Sequence, residues 1–194
     1  MNGENGEGWK VPITSSAKPR DKQKGTLRMA TWNCFGVSAE RMEYLLGSED
    51  GQKTGLFPSK GGGAWLLALQ ECRLKGIERL ENSMPEKRMA LSSPATRPDQ
   101  ASGVALIFSP LLAKAVRDKD KVGSHIVWAQ IETDVSAADI IVVNVYMPHF
   151  GRQSLSADDV YGDLTRLFRS FDKDLQKRWA IKVLMGDFNS WIGQ

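Results

Sequence analysis

Cysteine and histidine are scarce in this chain of 194 residues, which contains two of each. Two cysteines, Cys34 and Cys72, cannot build a disulfide framework, so reduced thiols of an intracellular protein are the default expectation. With His125 and His149 as its histidines, the chain also lacks the Cys/His set of a structural zinc cluster. No apolar run approaches the roughly 18 residues that a membrane span requires. The sequence therefore predicts a protein without a membrane span.

An excess of charge of one sign is also nearly absent. The chain has 26 Lys and Arg against 23 Asp and Glu, a formal net charge of +3. Residues 1–28 hold six of these cations and three of the anions, so residues 29–194 are neutral. A neutral body gives no basic signal for nucleic acid, and such a partner must be argued from a site.

The first 25 residues are rich in Gly, Lys and Glu and show little apolar periodicity. They are predicted to be a disordered leader, and no apolar segment of a secretory signal follows their charges. The basic stretch 18–24 matches a nuclear address or a phosphate-binding arm, although a solvated tail is the simpler interpretation. Residues 26–194 are predicted to form one domain.

Apolar patterning in this domain predicts an α/β fold. Predicted strands cover residues 27–32, 64–69, 103–108, 126–131, 140–146 and 181–185. A long helix is predicted to begin at Ser156, a favourable N-cap residue, with acids in its first turn. Its apolar face comprises Val160, Leu164, Leu167, Phe171 and Leu175. Shorter helices are predicted after Ser38 and around Ile77.

Polar side chains follow several of these strands where each strand ends. They are Asn33, Glu71, Asp187 with Asn189, and the pair Tyr146 and His149 on either side of Pro148. Ligands of α/β sheets gather at one set of strand ends, and carboxylate and amide oxygens suit Mg²⁺ or Mn²⁺. Each residue taken alone is more simply explained as part of a turn, a helix cap or a solvated strand end.

Five short motifs occur at these positions in a fixed order. They are Thr31-Trp-Asn-Cys-Phe-Gly, Leu69-Gln-Glu, Ser102-Gly-Val-Ala, Asn144-Val-Tyr-Met-Pro and Gly186-Asp-Phe-Asn. Their wording and order over about residues 27–191 resemble the endonuclease/exonuclease/phosphatase superfamily, which has the DNase-I-like fold. The wording is nearest to apurinic-site endonucleases and to the endonucleases of non-LTR retrotransposons.

The resemblance implies a role for each matched residue. Glu71 would ligate Mg²⁺, with Asn33 beside it and Asp187 and Asn189 completing the metal and water network. Asp187 would orient or deprotonate the attacking water, and Asn189 would hold that geometry and contact phosphate. Tyr146 would hydrogen-bond the phosphate oxygens in the transition state. His149, which follows Pro148, is carried over more weakly, because a surface histidine is equally plausible there.

The resemblance also implies a four-layer α/β sandwich, of which this chain would be the N-terminal portion, mainly one sheet with outer helices. The family pattern continues to a closing Ser-Asp-His motif, and nothing after Asn189 matches it. The expectation is a domain truncated at its C-terminus, with impaired activity. Its first sheet would expose an apolar face through which copies could self-associate.

The leading interpretation is a Mg²⁺-dependent nuclease acting on DNA, with a retroelement as one source. A phosphatase or phospholipase of the same superfamily is the alternative within the enzyme class. A degenerate domain that binds nucleic acid or protein is the non-enzymatic alternative, and an ordinary α/β domain with coincidental motifs is the remaining one. Cys34 and Cys72 are predicted to be buried packing residues, and Trp32 and Trp65 to belong to the core.

Overall fold

The fold is a mixed α/β arrangement of two four-stranded sheets with few helices, as given by a computed structural model. The structure describes residues 26–36, 63–72, 89–93, 103–133, 138–148, 156–174 and 179–189. The predicted leader, the helices expected after Ser38 and around Ile77, and His149 lie outside the described residues. Within the described part of the chain, no helix is both long and apolar enough to cross a membrane.

The first sheet has the strand order β1-β2-β4-β3. Its strands are β1 (Leu27–Asn33), β2 (Ala64–Gln70), β3 (Met89–Ser93) and β4 (Val104–Phe108). β1 and β2 run parallel, whereas β4 runs antiparallel to both β2 and β3. β2 and β4 are the central strands of this sheet, and their apolar residues are buried on both faces.

The second sheet has the strand order β5-β6-β7-β8. Its strands are β5 (Val116–Val122), β6 (Ile126–Ile131), β7 (Ala138–Tyr146) and β8 (Trp179–Asp187). β5, β6 and β7 form an antiparallel meander, and β7 runs parallel to β8. A parallel pair needs a crossover connection, and the long helix Ala157–Asp174 lies between β7 and β8 in the chain to supply it.

Two helices occur in the described residues: α1 (Pro110–Ala113), and α2 (Ala157–Asp174), which is the crossover helix between β7 and β8. The Ser156 Oγ accepts from the Asp159 backbone N–H at 3.1 Å, and Asp159 Oδ2 accepts from the Ser156 N–H at 3.1 Å. This reciprocal cap confirms the predicted start of the long helix. The Ser156 hydroxyl also donates to Asp159 Oδ2 at 2.8 Å, and this bond together with the one from the Ser156 N–H lowers the pKa of the exposed Asp159 carboxyl. The predicted face packs on the second sheet through Val160, Leu164, Leu167 and Phe171, and Leu175 lies outside the described residues.

The main core lies between the two sheets. Residues from the first sheet in this core are Leu66, Ala68, Val104, Leu106 and Phe108, and residues from the second are Val127, Ala129, Ile131, Val142 and Tyr146. All of these side chains are buried. Each large one contributes about 1.5–3 kcal/mol by leaving water, so the interface between the sheets is a principal source of stability.

This packing corrects the expectation of mainly one sheet. The second sheet is built from strands within residues 116–187. The sequence predicted three of these four strands but did not indicate that they form a separate sheet. It covers the face of the first sheet that was expected to be exposed. The opposite face of β2 is buried too, since Trp65 is 5% exposed and its neighbours on that face even less. The apolar runs in β6 and β7 therefore supply the facing layer.

The sequence did not predict two of the strands, and it assigned one exposed residue to the core. β5 has the sequence VRDKDKV, and its charges suit an edge strand because they discourage pairing with another chain. β3, with the sequence MALSS, pairs only with β4 among the described strands. Trp65 is in the core as predicted, but Trp32 is 37% exposed, which contradicts its prediction. The remaining large exposed apolar residues of β1 and β8 are Met29, Trp179, Ile181 and Leu184.

Candidate functional site

The polar residues singled out by sequence meet where the two sheets present the carboxyl ends of their parallel strands. Asn33 ends β1 and pairs with Gln70, the residue before Glu71. Tyr146 ends β7 and pairs with Asp187, which ends β8. β8 lies against β1 and β2, so these two pairs face each other across the sandwich. The site edge is defined here as the ends of β1, β2, β7 and β8.

Two hydrogen bonds join the sheets at this edge. The Asn33 Nδ2 donates to Asp187 Oδ2 at 2.7 Å. The Tyr146 hydroxyl donates to Glu71 Oε1 at 3.0 Å, and Glu71 is only 6% exposed. Asn33 is linked to Glu71 through its strand partner Gln70, and Tyr146 pairs directly with Asp187. Together with the two bonds between the sheets, these links join Asn33, Glu71, Tyr146 and Asp187 into a closed ring of four residues. The ring brings together both carboxylates of the predicted metal set and the predicted phosphate-contacting tyrosine.

Asp187 is held from a second side by Asn189. The Asn189 backbone N–H donates to Asp187 Oδ1 at 3.0 Å, so each carboxylate oxygen accepts one bond from a neutral donor. The Asn189 Nδ2 in turn donates to the Met147 carbonyl at 2.7 Å. These bonds orient the carboxylate without neutralising its charge. Asp187 is therefore an oriented carboxylate at the edge of the protein, only partly exposed to water.

Backbone strain concentrates at the same edge. Among the described residues, the non-glycine residues with positive φ are Phe35 at 48°, Glu71 at 54° and Asn189 at 41°. Such conformations are uncommon outside glycine and persist where the surrounding structure enforces them. All three belong to the site edge or to the turn that follows Asn33. Strained backbone of this kind is typical of sites that hold side chains in positions the local backbone disfavours.

A buried amide network supports the ring from below. The Gln70 Nε2 donates to Asn144 Oδ1 at 2.6 Å and to the Thr31 hydroxyl at 2.9 Å. The Asn144 Nδ2 donates to the carbonyls of Leu69 and Ala105, at 2.8 and 2.9 Å. Both amide side chains are 1% exposed or less. Gln70 precedes Glu71 directly, and Asn144 precedes Tyr146 by two residues, so the network holds the strands that carry both.

Gln70 and Asn144 lie within two of the five sequence motifs, but the sequence predicted no role for either residue. A polar residue inside an otherwise apolar strand is the signal that could have found them. Asn144 interrupts the β-branched run of β7, and Gln70 ends the apolar run of β2. Buried polar groups need partners, so two such interruptions predict a bond between the strands.

His125 is a further neighbour of the four-residue ring, and the sequence predicted no role for it. Its ring stacks near the Tyr146 ring, with centroids 6.3 Å apart and planes inclined by 26°. Its carbonyl accepts from the Tyr146 N–H at 2.9 Å, and its Nδ1 lies 2.8 Å from the Ser124 Oγ. Burial lowers the pKa of the His125 imidazole below 6.5, and the Asp163 carboxylate opposes this effect in part. Burial therefore favours the neutral form of the His125 imidazole beside Tyr146.

Some predicted features are not brought together by the described residues. His149 lies outside them, and within them no group of three or more His, Cys, Asp or Glu residues is close enough to hold a metal ion. Glu71 and Asp187 are instead accompanied by the carboxamides of Asn33 and Asn189. Cys34 and Cys72 are both buried, which confirms their prediction as buried packing residues. The Cys34 Sγ donates to the Gln70 carbonyl at 3.1 Å.

Comparison with known proteins finds structural alignments at low sequence identity. No protein-family model matches the chain, and no curated protein matches it by sequence. A functionally unknown conserved protein from Enterococcus faecalis V583 aligns with a TM-score of 0.48 and 17% identity, over 86% of this chain and 68% of that one. TDP2 from C. elegans aligns with a TM-score of 0.48 and 13% identity, over 83% and 47%. Neither alignment assigns a family or an activity to this chain.

Proposed function

We propose that this chain is a metal-dependent phosphodiesterase of nuclease type that hydrolyses DNA phosphodiester bonds, with low turnover by itself. The observation that carries the proposal is the ring in which Asn33 bonds Asp187 and Tyr146 bonds Glu71. Four distant segments converge there, and each contributes a residue of a motif that resembles the endonuclease/exonuclease/phosphatase superfamily. The DNase-I-like sandwich is the fold that this proposal implies.

The donor set suits a hard divalent cation such as Mg²⁺, or Mn²⁺ in its place. Glu71 would hold the ion, with Asn33, Asp187 and Asn189 around it, and all four side chains offer oxygen atoms. A carboxylate has about four lone-pair sites, so the bond from Tyr146 leaves Glu71 capacity for a cation. Such an ion would supply charge neutralisation at the phosphoryl oxygens. Two carboxylates form a sparse set, which is why turnover is proposed to be low.

The chain's own residues have distinct tasks in this mechanism. Asp187, fixed by the Asn33 and Asn189 donors, accepts the proton of the attacking water. The Tyr146 hydroxyl donates to a phosphate oxygen as charge develops there. Because that hydroxyl has a single proton, its bond to phosphate replaces its bond to Glu71. His149 would face the phosphate from beyond Pro148, as the resemblance implies.

A nicking assay on supercoiled plasmid and on abasic-site DNA tests the proposal. The expected result is Mg²⁺-dependent, EDTA-sensitive nicking that Asp187→Asn and Glu71→Gln each reduce by roughly 10²-fold or more. Asp118→Asn, which removes an exposed carboxylate from β5, is the matched control and is expected to nick normally. Nicking that is unaffected by Asp187→Asn would overturn the proposed site.

The same preparation separates the alternative functions. Hydrolysis of phospholipid or sugar-phosphate substrates with no nicking would replace the nuclease by a phosphatase or phospholipase of the same chemistry. Salt-sensitive DNA binding without any Asp187-dependent hydrolysis would indicate a binding domain instead.

A further inference from the structure

An exposed aromatic ring stands directly beside the proposed site. Phe35 is 87% exposed and follows Asn33 by two residues. The other large apolar residue of the described chain with a comparable exposure is Trp179, at 84%. Trp179 begins β8 and Asp187 ends it, so Trp179 lies at the opposite end of that strand. Phe35 is therefore an exposed aromatic side chain located at the site edge.

The turn that carries Phe35 is built into the site. The Phe35 N–H donates to Asn33 Oδ1 at 3.3 Å, and the flanking N–H groups of Cys34 and Gly36 donate to the carbonyls of Gln70 and Glu71. Asn33 thus binds the Phe35 backbone through its oxygen and Asp187 through its nitrogen. The φ of 48° at Phe35 and of 79° at Gly36 bends the chain at this point. The Phe35 backbone and the Asp187 carboxylate are consequently held by the same side chain, that of Asn33.

We propose that Phe35 is a stacking platform for a nucleobase next to the phosphate that is cleaved, so that the substrate is a nucleic acid with an unstacked base. This inference rests on the proposed function. A ligand that places a phosphate at Asp187 and Tyr146 and a flat apolar ring on Phe35 carries both groups in one small unit, as a nucleotide does. Lipid and sugar phosphates have no planar ring to cover the phenyl face.

The absence of a net charge on residues 29–194 makes the stacking contact at Phe35 more important for binding. Residues 29–194 carry equal numbers of cations and anions, so general attraction to the phosphate backbone is small. Stacking on an aromatic side chain is worth about 1–3 kcal/mol per base, or roughly 5–150-fold in affinity, and tolerates any base. A base inside an intact duplex is covered by its neighbours, so the platform favours single strands, ends and flipped bases.

Oligonucleotide binding tests the platform independently of catalysis. Fluorescence anisotropy in EDTA measures the affinity of the full chain for labelled oligothymidylate and for an abasic oligonucleotide of equal length and charge. The wild-type chain is expected to bind oligothymidylate more tightly by roughly 5–150-fold. Phe35→Ala is expected to remove that preference and to leave abasic binding unchanged. Phe35→Trp is expected to retain it, and Phe35→Leu, which is apolar without a π face, to lose it.

Trp179→Ala is the matched control and is expected to bind both oligonucleotides as the wild type does. A base preference that survives in Phe35→Ala, or that Phe35→Leu retains in full, would overturn the platform. Equal binding of both oligonucleotides by the wild type would overturn it as well. Nicking combined with binding that is indifferent to Phe35 rejects only the platform, whereas Phe35-dependent binding without nicking rejects only the proposed hydrolysis.

Discussion

The side chains of Gln70 and Asn144 meet at 2.6 Å between the two sheets, directly beneath the proposed site. Gln70 belongs to β2 and Asn144 to β7, so this bond joins the central strands of separate sheets inside an apolar core. An amide pair there costs desolvation, and its geometry fixes the register of one sheet against the other. The residues immediately after these strands, Glu71 and Tyr146, depend on that register for their own bond.

The first prediction concerns the stability of this amide pair. Asn144→Leu is expected to lower the free energy of unfolding by about 2–4 kcal/mol, because it removes one acceptor of Gln70 and the donor to the Leu69 and Ala105 carbonyls. Urea unfolding measures the change. The double variant Gln70→Leu/Asn144→Leu is expected to cost less than the sum of the single variants, since it removes both polar partners. Additive costs would contradict a direct coupling.

The second prediction concerns the Tyr146 hydroxyl. Tyr146→Phe is expected to lower kcat by about 10²-fold with little change in KM, because the hydroxyl acts on charge that develops in the transition state. Steady-state cleavage of a labelled oligonucleotide in Mg²⁺ measures both constants. Tyr161→Phe removes an exposed hydroxyl from α2 and is expected to be neutral. An equal loss in both variants would exclude a special role for Tyr146.

The third prediction concerns Gly186, which precedes Asp187. Its φ is +148°, and a Cβ at this position would lie 2.0 Å from the Val145 carbonyl oxygen. Gly186→Ala must therefore displace β8 from β7, and we expect a loss of more than about 3 kcal/mol in stability together with loss of nicking. Gly162→Ala is the contrast, since its Cβ meets only the Arg166 Nη1 at 3.6 Å. In the middle of α2 it is expected to stabilise by about 0.5–1 kcal/mol.

The fourth prediction concerns the pH dependence of stability. The pKa of His125 is lowered in the folded protein, so below pH 6.5 the unfolded chain binds a proton that the folded chain resists. The stability due to the neutral imidazole is present above pH 6.5 and is lost as the pH falls through the folded value. Urea midpoints from pH 7.5 to 5.0 are expected to fall more steeply for the wild type than for His125→Gln. Parallel slopes would show that His125 does not contribute.

Local patterning was sufficient for most of the secondary structure. Periodicity predicted α2 and its apolar face, because a helix that packs on a sheet must repeat its apolar residues at helical spacing. The apolar runs predicted β2, β4, β6 and β7 for a similar reason. β5 could not be predicted in this way, because its five central residues are all charged and form no apolar run. β3 has five residues, MALSS, which are too few to show such a pattern.

The sequence by itself determined which residues stand at strand ends, and so it proposed Asn33, Glu71, Tyr146, Asp187 and Asn189 as one group. The tertiary structure decided that the chain folds as two packed sheets, with bonds between the sheets joining Asn33 to Asp187 and Tyr146 to Glu71. It also decided the roles of Gln70, Asn144 and His125, and the exposure of Phe35. The physical reason is the sequence separation of the partners. A side-chain pattern reflects the burial of one strand, whereas a bond between residues 154 positions apart, such as Asn33 and Asp187, depends on how the two sheets pack.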